Sequence, residues 1–330
     1  MKKISNGTHL SIVLPVFNEE EALPATMKEL YSVCNSLGKN YEIIFVDDCS
    51  RDSTPEILNE FVVKDPRIKV LRFSRNFGHQ AALSAGLDVA EGELVVTMDS
   101  DLQHPPRLIH EFIKQAERGS DIVIGERISN QQNSFLRDIL GKAYYKLLSS
   151  ITDLEFKNVS DFALYKKSVI KIIKRLPEKE RFLRGMIQWV GFKKTYVPYT
   201  AEARKHGQSK YSIKRLFFSF FMSGITSFSA FPLRLAFWAG LLVLMASILF
   251  SGYVVWDYYA NPDPLNKGNA TIIILMLFLG SLNMIVLGIL GEYFYKMFNE
   301  VKGRPSYIVA ETKNIENDKI EKTSYGIHNL

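Results

Sequence analysis

Cysteine is scarce: the 330 residues hold only two, Cys34 and Cys49. They offer neither a disulfide framework nor the paired spacing of a metal site, and they read as reduced residues of a cytosolic compartment. No G-x-G-x-x-G follows the first apolar strand, which argues against a dinucleotide oxidoreductase. No G-x-x-x-x-G-K-S/T occurs either, which argues against a P-loop ATPase. The first apolar run, in MKKISNGTHLSIVLPV, is short and reaches Pro15 and Asn18 rather than a small-residue cleavage site, so no secretory leader is expected. Internal repeats and low-complexity segments are missing as well.

What is present divides into soluble and apolar parts. The length suggests about two domains. Apolar residues make up 47%, enough for a sizeable core, and the formal charge is +6. Two runs, 235–256 and 270–291, carry no charge. Each reaches the length of about 20 residues that crosses a hydrocarbon core. The short turn DYYANPDPLNKGN joins them, so the pair reads as a transmembrane hairpin. Arg204, Lys205, Lys210, Lys214, Arg215 and Arg234 precede it, and Lys296, Lys302 and Arg304 follow, whereas the turn holds only Lys267. The positive-inside rule then puts both termini in the cytoplasm, at the inner face of a plasma membrane. The basic excess faces anionic headgroups or an anionic lipid substrate. No nucleic-acid-binding motif accompanies it, so nucleic acid is not an expected partner. The segment 212–229, with Lys214 and Arg215 at its start and Phe217, Phe218, Phe220 and Phe221 after them, predicts amphipathic helices on the membrane surface. The expected division is a cytoplasmic domain over 1–211, juxtamembrane helices over 212–232, the hairpin over 233–296 and a cytoplasmic tail over 297–330. So short a hairpin is also expected to pack against copies of itself, as a homo-oligomer.

In the first domain, apolar runs at 10–16, 41–48, 68–74, 93–99 and 121–127 alternate with helical patterns. This alternation predicts an α/β fold with a mostly parallel sheet covered on both faces. Ligands of such sheets lie beyond the carboxyl ends of the strands. Those ends are polar here: Asn18 and Glu19, Asp47 and Asp48, Ser74 and Arg75, Asp99 and Asp101, Glu126 and Arg127. In VVTMDSDLQHPP an apolar strand delivers two carboxylates to a turn that Pro105 and Pro106 close, an arrangement suited to a hard cation.

The ordered motifs LPVFNEE, VDDCSRDST, RNFGHQAAL, MDSDLQHPP and IGER resemble family 2 glycosyltransferases of the A-type, Rossmann-like fold. With the hairpin, the chain resembles the polyisoprenyl-phosphate glycosyltransferases, which include dolichol-phosphate mannose synthases and bacterial undecaprenyl-phosphate glucosyl and aminoarabinosyl transferases. The resemblance runs from about Leu10 to Arg304. It implies inverting transfer of a hexose from a nucleotide sugar, UDP-glucose by preference, to a polyprenyl phosphate. It implies a Mg²⁺ or Mn²⁺ cofactor at Asp99, Asp101 and Gln103. Pro15, Phe17, Glu19, Asp47, Asp48, Ser100 and Lys210 are expected at the nucleotide sugar. Arg127, Arg137, Arg204 and Ser209 are expected at the acceptor phosphate. Asp161 is expected on the acceptor side, as a base or as a group orienting the sugar, and His104 is expected to orient its loop rather than bind metal. Cys49 stands where the family usually has glycine. The alternatives are another sugar (mannose or aminoarabinose), a processive polysaccharide synthase, or a non-enzymatic lipid-binding or flipping partner. The synthase motif Q-x-x-R-W is not formed, because Trp189 directly follows Gln188.

Overall fold

The computed structural model describes residues 8–128, 149–150, 160–179, 181–200, 231–260 and 268–316. Arg137, Arg204, Ser209, Lys210 and the 212–229 segment lie outside them. The chain divides into two units, Met1–Leu216 with Gly303–Leu330, and Phe217–Lys302.

The first unit is built on an eight-stranded sheet. Its elements run β1 (Leu10–Val16), α1 (Leu23–Leu37), β2 (Tyr41–Asp47), α2 (Thr54–Lys64), β3 (Ile68–Phe73), α3 (His79–Val89), β4 (Leu94–Thr97), α4 (Ile109–Glu117), β5 (Ile122–Arg127), β6 (Ala163–Lys166), α5 (Lys167–Ile173), α6 (Leu183–Trp189) and β7 (Lys194–Tyr199). A last strand, β8 (Val309–Lys313), comes from beyond the second unit. The order is β7-β5-β6-β4-β1-β2-β3-β8. Only β6 and β8 run against the other strands. All seven residues of β1 and all seven of β2 are buried, as expected of central strands covered on both faces.

The register pairs Ile12 with Ile43 and Leu14 with Phe45 on one face. That face packs against Leu23, Met27 and Leu30 of α1, Leu58 of α2 and Phe112 of α4. Each such side chain, once buried, contributes about 1.5–3 kcal/mol. The opposite face of β1 and β2 meets α3. A Cβ on Gly86 would collide with Val13, so glycine lets this helix approach the sheet closely.

Local chemistry sets the helix ends. Pro24 sits in the first turn of α1, and Gly38 ends that helix at φ 59, in the left-handed region. The helix begins at Leu23, because the preceding residues form a turn tied to the loop after β2. A 3-10 turn, Pro106–Leu108, likewise precedes α4.

The segment expected as a tail departs from that expectation. Val309–Lys313 pairs antiparallel with β3. Tyr307 stacks on Phe73 at 5.1 Å, and its hydroxyl donates to Asp88 at 3.0 Å. These contacts cover the open edge of β3, which otherwise presents unpaired backbone groups.

The second unit holds two long helices, α7 (Phe231–Ala260) and α8 (Gly268–Lys302). Both expected spans fall inside them. Their lengths are 30 and 35 residues, and each is apolar enough to cross a membrane over Pro232–Phe250 and Phe278–Lys302 respectively. Helices of this length reach about 45–50 Å at a rise of ~1.5 Å per residue, beyond a hydrocarbon core of ~30 Å. Leu242, Leu249, Met276 and Met284 stand exposed, which suits a lipid surroundings rather than water.

Candidate active site at the carboxyl ends of the strands

The chain leaves β1 toward β2 and β3, then returns to place β4 on the other side of β1. This reversal opens a crevice between the β1 and β4 ends, the position where open α/β sheets hold ligands.

The loops after β1 and β2 are laced together. Asn18 takes φ 53, donates its amide to Ser50 Oγ at 2.9 Å, and accepts the Arg51 amide at 2.8 Å. The Glu19 amide donates to Thr54 Oγ1 at 2.9 Å. Cys49 takes φ 63, the left-handed conformation that glycine adopts freely. The unusual residue therefore keeps the turn and carries its strain.

Asp47 and Asp48 are both buried. Asp47 accepts the Ser50 amide at 2.8 Å and faces the Arg72 guanidinium at 3.3 Å. Asp48 accepts the Phe77 and Gly78 amides, at 2.6 and 2.9 Å. Burial raises both carboxyls above their ordinary value, against the pull of these donors. Asp48 thus fixes the loop that starts α3, where Gly78 adopts φ 97.

The turn after β4 carries the D-x-D pair. The Asp99 amide donates to His104 Nδ1 at 2.9 Å, and the His104 ring stacks on Phe162 at 4.9 Å. His104 therefore orients the turn with its Nδ1 lone pair, as the sequence suggested. The Gln103 amide donates to Asp101 Oδ1 at 3.1 Å. Ser100 Oγ donates to the Pro15 carbonyl at 3.2 Å, and Thr26 Oγ1 to the Ser100 carbonyl at 2.7 Å. Pro15 and Ser100 thus join β1 to the D-x-D turn. Asp99 Oδ1 is buried and has no hydrogen-bond partner. Among the described residues no three His, Cys, Asp or Glu side chains gather into a metal cage. Two carboxylates and an amide still make a fitting oxygen set for Mg²⁺, which usually keeps waters and substrate phosphates as its remaining ligands.

Asp161 comes from the segment just before β6. Arg184 of α6 grips it with two parallel bonds, Nε to Oδ1 at 2.9 Å and a terminal nitrogen to Oδ2 at 2.7 Å. His79 Nε2 lies 3.2 Å from Asp161 Oδ2 and 3.7 Å from Asp99 Oδ1. Burial works against the charge on Asp161, but Arg184 and His79 outweigh it and hold the carboxyl well below its ordinary range. Burial likewise opposes protonation of His79, yet the bond to Asp161 and the charge of Asp99 raise its pKa. Arg127 closes β5 beside Tyr199 of β7. Phe17 and Glu19 sit on the β1 loop. Arg137, Arg204, Ser209 and Lys210 lie outside the described residues.

Sequence reasoning passed over His79, Gln80, Thr97 and Arg184. Thr97 Oγ1 donates to the Asp161 carbonyl at 2.6 Å. His79 and Gln80 had a usable signal: they follow a glycine at a helix start beyond β3. Arg184 had none, since only the tertiary fold brings it to Asp161.

Comparison with known proteins agrees with this architecture. Residues 11–173 match glycosyl transferase family 2, and residues 231–297 match the GtrB C-terminal hairpin. An uncharacterized glycosyltransferase of Bacillus subtilis, YkcC, is 38% identical over 98% of this chain and 99% of its own. The bactoprenol glucosyl transferase of Shigella phage SfII is 37% identical over 92% of this chain and 98% of its own. The putative glycosyltransferase CsbB of Bacillus subtilis is 36% identical, over 96% and 95% of the two chains. On a D-x-D turn at the switch point of its sheet, two apolar helices and full-length likeness to these proteins, the chain belongs to glycosyl transferase family 2, in the branch that ends in a GtrB-type hairpin.

Proposed function

We propose that the chain transfers glucose from UDP-glucose to a polyprenyl phosphate at the cytoplasmic face of the plasma membrane, with inversion at the anomeric carbon. The observation that carries this reading is the D-x-D turn at the β1–β4 crevice, with one buried Asp99 oxygen lacking a donor. The bactoprenol glucosyl transferases among its relatives support the sugar and the lipid. The apolar helix pair supports a lipid acceptor.

The acceptor is its own nucleophile. A phosphate monoester has a second pKa of about 6 and is largely dianionic at pH 7. One of its oxygens attacks the anomeric carbon from the face opposite the nucleoside diphosphate. The bond between that carbon and the diphosphate oxygen breaks, and its electrons leave with the diphosphate. Asp99, Asp101 and Gln103 hold a Mg²⁺ or Mn²⁺ ion, which when bound supplies Lewis-acid stabilisation to the leaving diphosphate. Pro15, Phe17, Glu19, Asp47 and Asp48 shape the nucleotide end, with Lys210 at the diphosphate. Arg127, Arg137, Arg204 and Ser209 receive the acceptor phosphate, a task suited to the arginine fork. Catalysis rests on positioning and electrostatics. The hairpin keeps both termini in the cytoplasm and associates with further copies of the chain.

The test is turnover. Labelled UDP-glucose and undecaprenyl phosphate, given to the purified full-length chain in detergent, are expected to yield one lipid-linked monosaccharide. A long polymer would favour a processive synthase. Product from another nucleotide sugar alone would move the assignment to that sugar, and absence of any transfer would refute it.

A further inference from the structure

The site contains one carboxylate that the reaction, as drawn, gives no proton to take. Asp161 is buried, and both of its oxygens are engaged by Arg184. A carboxylate offers about four acceptor positions. Arg184 occupies two and His79 a third. Gln80 Nε2 donates to both carboxylate oxygens at 3.5 Å and takes up the fourth, while Gln80 Oε1 is buried without a donor. What the cluster still lacks is a donor to Gln80 Oε1, and a sugar ring carries such donors as hydroxyls. His79 also ties the cluster to the D-x-D turn, because the same nitrogen approaches Asp99 Oδ1.

We propose that Arg184 and His79 are positioning residues for the transfer reaction: they fix the Asp161 carboxylate beside the D-x-D turn, and Asp161 in turn holds the Gln80 amide so that its Oε1 anchors a hydroxyl group of the donor sugar; Asp161 is not a proton acceptor. This rests on the proposed function, since the dianionic phosphate acceptor is what removes the need for a base. Arg184 suits the task because its planar fork sets the plane of the carboxylate, which a lysine cannot do. Four elements converge to build the anchor. The start of α3 brings His79 and Gln80, the end of β4 brings Thr97 to the Asp161 carbonyl, the segment before β6 brings Asp161, and α6 brings Arg184.

The experiment uses the full-length chain in detergent, with UDP-glucose and undecaprenyl phosphate as substrates and UDP affinity measured by calorimetry on the same preparations. Arg184→Gln is expected to lower kcat by about 10²-fold, the effect of a misplaced reacting group, and to raise KM for UDP-glucose while UDP affinity stays at the wild-type value. Arg184→Lys keeps the charge but not the fork, and is expected to recover part of kcat. His79→Ala should lower kcat, with partial recovery in His79→Gln, which keeps a donor. The paired variant Asp161→Asn/Arg184→Gln, which buries no unpaired charge, is expected to be no slower than the slower single variant, the signature of residues acting as a unit. Wild-type kcat in Arg184→Gln, additive losses in the paired variant, or UDP affinity falling in step with kcat would each overturn the inference. Should Arg184→Gln fail to fold, the lysine and paired variants decide by the same criteria. Failure of the wild-type chain to make any lipid-linked sugar refutes the proposed function instead. Wild-type turnover with an indifferent Arg184→Gln refutes only the anchor.

Discussion

The two ends of the catalytic sheet treat buried charge in opposite ways. At the amino ends, Glu42 is buried and charge-paired: Ser11 Oγ and the Glu91 amide donate to Oε1, and the Lys69 ammonium lies 2.6 Å from Oε2. Gly92 completes the cluster by donating to Ser11 Oγ at 2.8 Å. At the carboxyl ends, Asp99 Oδ1 and Gln80 Oε1 are left without donors. Both ends cost desolvation, but Glu42 Oε2 meets a lysine ammonium at 2.6 Å, whereas His79 stands 3.7 Å from Asp99 Oδ1. The contrast teaches that a buried carboxylate by itself does not mark a site. The mark is a buried carboxylate oxygen whose nearest basic group stands back from it.

The contrast is open to attack in three places. The largest effect is expected at the carboxyl ends. Asp101→Ala should lower turnover by about 10²–10³-fold, the usual cost of removing one group that stabilises developing charge, with the melting temperature little changed. Excess chelator should abolish wild-type turnover too, and full activity in chelator would break the assignment of the D-x-D turn to a cation. Next comes the amino-end cluster. Glu42→Gln leaves Lys69 and Ser11 poorly paired and should cost about 1–3 kcal/mol of stability, read as a lower thermal midpoint. Its kcat should remain at wild type, and a kcat loss matching that of Asp101→Ala would erase the distinction between the two ends.

The smallest effect concerns Asp65, also on the amino-end side. Arg67 donates to it from Nε at 2.9 Å and from a terminal nitrogen at 2.8 Å. These bonds hold the Asp65 carboxyl below its ordinary value. A lowered carboxyl contributes its stability in full above its unfolded pKa of about 3.9 and loses it as pH falls through the folded value. Wild type and Asp65→Asn should therefore differ in thermal midpoint at pH 6 and converge in acid. The difference should stay within about 1 kcal/mol, because Arg67 is half-exposed. A difference that instead grew toward low pH would contradict the direction of the shift.

Legibility in the sequence followed the physics of burial. Five of the six parallel strands were readable because they are continuous apolar runs, and their ends carry Asp47, Asp48, Asp99 and Asp101. The helix pair was readable because two uncharged stretches of that length suit a hydrocarbon core. β6, ALYK, was too short to stand out, with only four residues. β7, KTYVPY, is interrupted by Pro198 and preceded by Lys193, as an edge strand permits. β8, VAETK, is mostly polar, so its pattern resembled a solvated tail. The Arg184–Asp161 pair lay beyond any local pattern, since neither residue's neighbours announce the other. The alternation of strands and helices could locate the mouth of the crevice, but not the side chains that reach it from the later part of the chain.

The late position of β8 has a consequence for how the protein is made. Its register sets Val70 opposite Lys313, so the neighbour of the third strand is translated only after both apolar helices. Through that interval the nascent sheet exposes the rim of β3, together with the face of Phe73 that Tyr307 will cover. Nascent chains with such open rims are prone to pair with the wrong neighbour. Completion of the sheet is therefore scheduled behind synthesis of the helix pair. A ribosome that stalls within α8 releases a sheet with an uncovered rim, and one that reads past Lys313 releases a finished one.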